Sequence, residues 1–111
     1  MKKKWLIGII TALNIGICTA CGQTDEFVEQ GMQYVEEAQY SNAVSSFERA
    51  VEKGEDKRQI YRGLGIAYMG LAEYDKAIEA FLMSLDASNG IIDSMDFDIN
   101  YYLAAAYYKN N

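Results

Sequence analysis

Histidine and proline are both missing from this 111-residue chain, and cysteine occurs only twice. Without histidine, the Ser–His and Cys–His pairs that activate a nucleophile cannot be built. Cys18 and Cys21, spaced C-x-x-C in "CTAC", fall short of the four ligands of a structural zinc site. A redox C-x-x-C needs a thiolate held at a helix start in a βαβ context, and no strand pattern surrounds this pair. Positive charge is scarce too, since ten Lys and Arg stand against sixteen Asp and Glu for a formal charge of −6. That balance argues against nucleic acid, whose binding rests on cations that release counterions from phosphates. It equally disfavours attraction to an anionic membrane surface. Half the residues are nonetheless hydrophobic, which with the lack of proline favours a folded domain over a disordered tail.

The N-terminal apolar run is short. It covers the 16 residues from Trp5 to Ala20 and is interrupted by Thr11, Asn14 and Thr19, against the roughly 20 that span a bilayer. Asn14 is a poor residue for the middle of a permanent span. Lys2, Lys3 and Lys4 precede the run and small residues close it, the layout of a secretory signal peptide. "CTAC" resembles the lipobox of bacterial lipoproteins, with Thr19 and Ala20 as the small pair and Cys21 as the lipid acceptor; Cys18 stands in the place usually held by leucine. Cleavage before Cys18 is disfavoured by the bulk of Ile17. The resemblance implies a signal at residues 1–20, lipid on Cys21, and a tether at 21–25. It places the protein on the extracytoplasmic face of a cell membrane, held there by its acyl chains. Loss of the three lysines takes the formal charge from −6 to −9 over the remaining 91 residues. Cys18 leaves with the signal and Cys21 becomes a thioether, so neither a free thiol nor a disulfide is expected.

Beyond the signal, the sequence repeats at an offset of 34. Gly31 falls on Gly65, Tyr34 on Tyr68, Ala38 on Ala72, Tyr40 on Tyr74, Ala43 on Ala77 and Phe47 on Phe81. "YRGLGIAY" (61–68) with "AIEAF" (77–81), and "FVEQGMQY" (27–34) with "AVSSF" (43–47), resemble the two halves of the tetratricopeptide signature, whose period is 34 residues. The expected fold is all-α: antiparallel helix-turn-helix repeats stacked as an α-solenoid. Helices are expected near Asp25–Ala38, Ser41–Lys53, Gln59–Leu71 and Asp75–Ala87, with Ser41 and Asp75 as N-caps and Gly54 as a helix stop. The glycines mark close helix approach, with Ala43 and Ala77 facing them and Phe47 and Phe81 one turn further on. "NYYLAAAYYK" (100–109) resembles a third first helix at an offset of 39, after a loop at Ser88–Asp98. The domain at 26–111 then holds repeats at about 24–57 and 58–92 and a half repeat at 97–111.

In tetratricopeptide proteins the first helix of each repeat lines a groove for peptides or partner helices. That resemblance puts Val28, Met32 and Val35 in the groove from repeat one, Arg62, Ile66 and Met69 from repeat two, and Tyr101, Ala105 and Tyr108 from the half repeat. Each trio is spaced i, i+4, i+7, on one helical face. Tyr34, Tyr68, Tyr107, Tyr40, Tyr61 and Tyr74 fit the repeat core. Tyr101, Tyr102 and Tyr108 have two readings, padding of the last helix or a binding surface. Apolar, Met-lined grooves suit an amphipathic helix or an extended apolar segment.

Asp93, Asp96 and Asp98 lack the alternation, central glycine and terminal glutamate of a calcium loop and are read as capping and solubility. The sequence points to no catalytic residue, metal site or cofactor. The expectation is a non-catalytic protein-binding scaffold; the alternative is an accessory subunit of an envelope assembly such as secretion, pilus or cell-wall machinery. The final helix is apolar almost all round and expects cover on more than one side, from a partner or from a second copy in a homodimer.

Overall fold

The computed structural model describes residues 25–90 and 92–111; the expected signal segment and the acceptor Cys21 lie outside the described residues. Among the described residues there are five helices and no strand: α1 (Glu26–Glu36), α2 (Tyr40–Glu52), α3 (Lys57–Gly70), α4 (Tyr74–Asp86) and α5 (Ser94–Asn110). The architecture is all-α.

Three of the helix ends share one device. The N–H of Ala38 donates to Val35 O (3.0 Å) and that of Gln39 to Tyr34 O (2.8 Å), and Ala72 and Glu73 repeat the pair on Met69 and Tyr68. Gly54 and Glu55 do the same on Val51 and Ala50. These are Schellman closures, which need a left-handed residue just past the helix. Gly54 supplies it at φ 70°, as expected, but Ala38 and Ala72 supply it at 58° and 59°, against their side chains' preference. So tight a reversal returns the chain to helix at residues 40 and 74. Ser41 and Asp75 therefore lie inside the first turn and are not the N-caps; Gln39 and Glu73 take those places without a side-chain cap bond.

Short turns at 37–39, 53–56 and 71–73 make successive helices antiparallel neighbours. Each helix packs on the next in sequence. In addition the backbone of α1 approaches that of α3, and α3 that of α5, whereas the backbones of α2 and α4 stay apart. The odd helices thus form an inner row and the even ones an outer row.

Two buried clusters hold the rows together. In the first, Phe47 of α2 is wholly buried with Val28, Ala43, Ala50, Ile60, Leu64, Ala67 and Ala80. A Cβ on Gly31 would lie 2.6 Å from its ring, and one on Gly63 would also fall within 3.0 Å. The ring is held between two glycine backbones. In the second, Phe81 of α4 packs with Ala77, Ile99, Leu103 and Ala106. Gly65 lies under one edge of Phe81, and Tyr102 stacks on it at 5.7 Å between centroids, 9° from parallel. The glycines' partners are thus the phenylalanines themselves rather than Ala43 and Ala77, which are buried among the core residues. Ile99, Leu103 and Ala106 are buried as Ile60, Leu64 and Ala67 are, 39 residues on.

The last helix starts earlier than expected. Asp93 accepts from the N–H of Met95 (2.9 Å) and of Asp96 (3.3 Å), while Asp96 accepts from the N–H of Asp93 (3.1 Å). This reciprocal capping box nucleates helix at Ser94, inside the segment read as loop.

Candidate functional site

The residues expected to line a groove divide. Met32, Val35, Ile66 and Met69 are half-buried and pack against the two clusters from the inner row. Ala105 is half-buried as well. Val28 belongs to the core instead, at 2% exposure: at the start of α1 it faces α2 and α3 rather than solvent. Tyr101 and Tyr108 stand almost free; Tyr101 lies edge-to-face with Tyr102, at 5.9 Å between centroids. Of the tyrosines assigned to the core, Tyr34, Tyr40, Tyr61 and Tyr68 pack against it, but Tyr107 is exposed because no later helix lies beside it among the described residues.

Arg62, read as the groove's single cation, is engaged. Its Nε donates to Asp98 Oδ2 at 2.9 Å and its NH2 reaches the same oxygen. One turn earlier Arg58 grips the start of α5, with NH1 donating to Asp93 Oδ2 at 2.9 Å and NH2 to Asp93 Oδ1 at 2.5 Å. Arg58 NH2 also lies 2.8 Å from Asp96 Oδ1, close enough for charge pairing but too misaligned to satisfy that buried oxygen with a hydrogen bond. Buried Ser84 of α4 donates to the Arg58 carbonyl at 2.7 Å, so the first turn of α3 is anchored on both sides. The fork of Arg58, with the Met95 and Asp96 amides, lowers the Asp93 carboxyl to about 2; the same contact, chiefly with Asp93, raises the Arg58 guanidinium. The acidic segment Asp93–Asp98 is thus a clamp that fastens α5 to α3, a role beyond capping and solubility. The i, i+4 spacing of Arg58 and Arg62 was a usable signal, two cations on one face with an acid-rich segment downstream.

A second polar anchor closes the other end. Glu55, 9% exposed, accepts from the N–H of Val28 (2.9 Å) and of Phe27 (3.2 Å). It caps α1 from the α2–α3 turn, 27 residues away. Nothing local marked Glu55, because a cap contributed across the fold leaves no short-range pattern.

Two hollows border the clamp. One of about 550 Å³ lies between the start of α3, the end of α4 and the α5 cap, with Lys57, Arg58, Asp86, Ser88, Asn89 and Asp93 among its walls. The other, about 500 Å³, is lined by Arg62, Ser94, Met95 and Asp98. Both are mixed in charge, with their guanidinium groups already committed to carboxylates. Among the described residues no cluster of three or more Cys, Asp or Glu is placed to hold a metal ion, and no helix is long and apolar enough to cross a membrane. Comparison with protein-family models, with curated proteins and with solved structures finds no match to this chain.

Proposed function

We propose that the chain is a lipid-anchored bacterial surface protein whose helical repeats, of the tetratricopeptide type, form a non-catalytic scaffold for a protein partner. The observation that carries this reading is a single register of 34 residues shared by sequence and backbone. Tyr40–Glu52 and Tyr74–Asp86 are helices with equivalent bounds, Ala38 and Ala72 take the same left-handed turn, and Phe47 and Phe81 rest on Gly31 and Gly65. Tandem copies of one helical unit produce such a register. The partner would lie along the inner row, over Met32, Val35, Ile66, Met69 and Ala105. With Arg62 held by Asp98, that face offers apolar, adaptable contacts rather than a charge. An apolar helix or extended segment suits it better than a peptide read through its carboxylate. Cys21 would supply the anchor.

The test has two arms in bacterial cells. In the first, a clickable fatty acid should label wild type and Cys18→Ser but not Cys21→Ser; equal labelling of Cys21→Ser refutes the anchor. In the second, a photo-crosslinking residue at Met32 or Ile66 should yield one discrete adduct that the same group at Val51, on α2, does not. Identical adducts from all three positions refute the inner row as the binding face.

A further inference from the structure

We propose that a second copy of this chain docks on the outer face of α5, the two α5 helices pairing antiparallel about a twofold axis. On α1 the residue Gly31 is covered by Phe47 of the helix that follows, and on α3 Gly65 is covered by Phe81. The residue in that place on α5 is Ala104, and it is exposed. Its position asks for an antiparallel helix that brings an aromatic ring onto a small residue. The outer face of α5 is itself such a helix. Phe97, Tyr101, Ala104 and Tyr108 recur at i, i+4, i+7, i+11 and form one stripe.

The stripe is complementary to itself. Turned antiparallel about its midpoint, it sets Tyr101 of one copy on Ala104 of the other and Phe97 against Tyr108, each contact occurring twice, as an isologous interface requires. It also carries no charge, on a chain whose formal charge is −6, so two copies meet there without opposing like charges. Lys109, the basic residue of the last turn, is brought over the acid-rich start of the other α5, where Asp93 and Asp98 lie. The area is adequate. At about 200 Å² per aromatic side chain, exposures of 70, 73 and 83% for Phe97, Tyr101 and Tyr108 amount to roughly 450 Å². Tyr107, 49% exposed on the flank, adds roughly 100 Å². Over both copies these aromatic rings alone offer roughly 1,100 Å², above the ~1,000 Å² total that a specific interface clears, and Ser94, Asn100 and Ala104 are exposed beside them. The pairing takes Tyr101 and Tyr108 out of the inner row and stands apart from the scaffold reading, whose test reads Cys21, Met32 and Ile66.

The experiment is sedimentation equilibrium of the full chain in a density-matched detergent. Wild type should sediment as a dimer at micromolar concentration. Ala104→Glu and Tyr101→Lys, both at exposed positions, should each weaken association by about 100-fold or more, because an unpaired charge is buried twice, with helical circular dichroism unchanged. Val51→Glu on α2 should remain dimeric. Mixing the Ala104→Glu and Tyr101→Lys chains should restore a dimer, since antiparallel pairing sets the glutamate beside the lysine. A monomeric wild type, a dimer that survives Ala104→Glu, or a mixture that stays monomeric overturns the proposal.

Discussion

Replacing Gly31 by alanine tests the packing logic of the first cluster. The added Cβ would stand 2.6 Å from Phe47 Cε1, where ordinary contact begins at 3.4 Å, so the ring must retreat by 0.8 Å. Its way out is blocked, because the ring also lies so close to Gly63 that a Cβ built there would fall within 3.0 Å of it. Overpacking of this kind costs about 1–3 kcal/mol, while glycine to alanine within a helix returns about 1 kcal/mol. The net expectation for Gly31→Ala is a loss of about 1 kcal/mol and at most ~2. Removing the ring removes the clash: in a Phe47→Ala background, Gly31→Ala should become stabilising by about 1 kcal/mol. The sign therefore reverses between backgrounds, with a coupling inside the range of about 0.5–3 kcal/mol seen for residues in contact. Urea unfolding of the four proteins, followed by far-ultraviolet circular dichroism, measures the cycle. If Gly31→Ala stabilises both backgrounds equally, the ring does not sit on Gly31 and the account of the core is wrong.

Glu55→Ala strips the acceptor from two backbone N–H groups at the start of α1; a loss of about 2–3 kcal/mol is expected, with the Phe27 and Val28 amides exchanging faster and those of α4 and α5 unchanged. Unaltered exchange at Phe27 and Val28 would remove Glu55 as the cap. Ala38→Gly and Ala72→Gly relieve left-handed alanines and should each stabilise by about 0.5–1 kcal/mol, raising the melting temperature by a few degrees; a lowered temperature contradicts the turn geometry. The Asp93 carboxyl is lowered from an ordinary 3.8 to about 2, so the unfolded chain takes up its proton first. Its contribution is complete above pH 4 and fades as pH falls toward 2. Asp93→Asn should flatten acid unfolding across that window, and an identical profile in the variant excludes the Arg58–Asp93 pair as the source.

The helices of the two repeats were legible because their signals are local. Val28, Gly31, Met32 and Val35 mark one helical face, and an offset of 34 that carries Gly31, Tyr40 and Phe47 onto Gly65, Tyr74 and Phe81 is a strong pattern in any chain. What failed was local in another way. Ser41 and Asp75 are good N-cap residues by type, yet left-handed Ala38 and Ala72 pull the N-caps forward by two residues, to Gln39 and Glu73. The start of α5 was hidden because its capping box uses aspartate at both ends, in a segment that otherwise reads as an acidic loop.

The groove residues show where a sequence stops deciding. Spacing puts Val28, Met32 and Val35 on one face of α1, but which part of that face meets solvent depends on how close α2 and α3 stand. Glycines at positions 31 and 63 let them come close, and Val28 is buried as a result. Arg62 likewise looked like a free cation until α5 brought Asp98, 36 residues away, within reach. The all-α class, the register of 34 residues and the places of Phe47 and Phe81 in the core were legible in the sequence alone, since they follow from side-chain periodicity and from what each residue type tolerates locally. Which charges pair, which helix ends are capped from afar and which apolar face of α5 is left open were decided only by tertiary structure. Those outcomes depend on distances between elements, and no local pattern encodes such a distance.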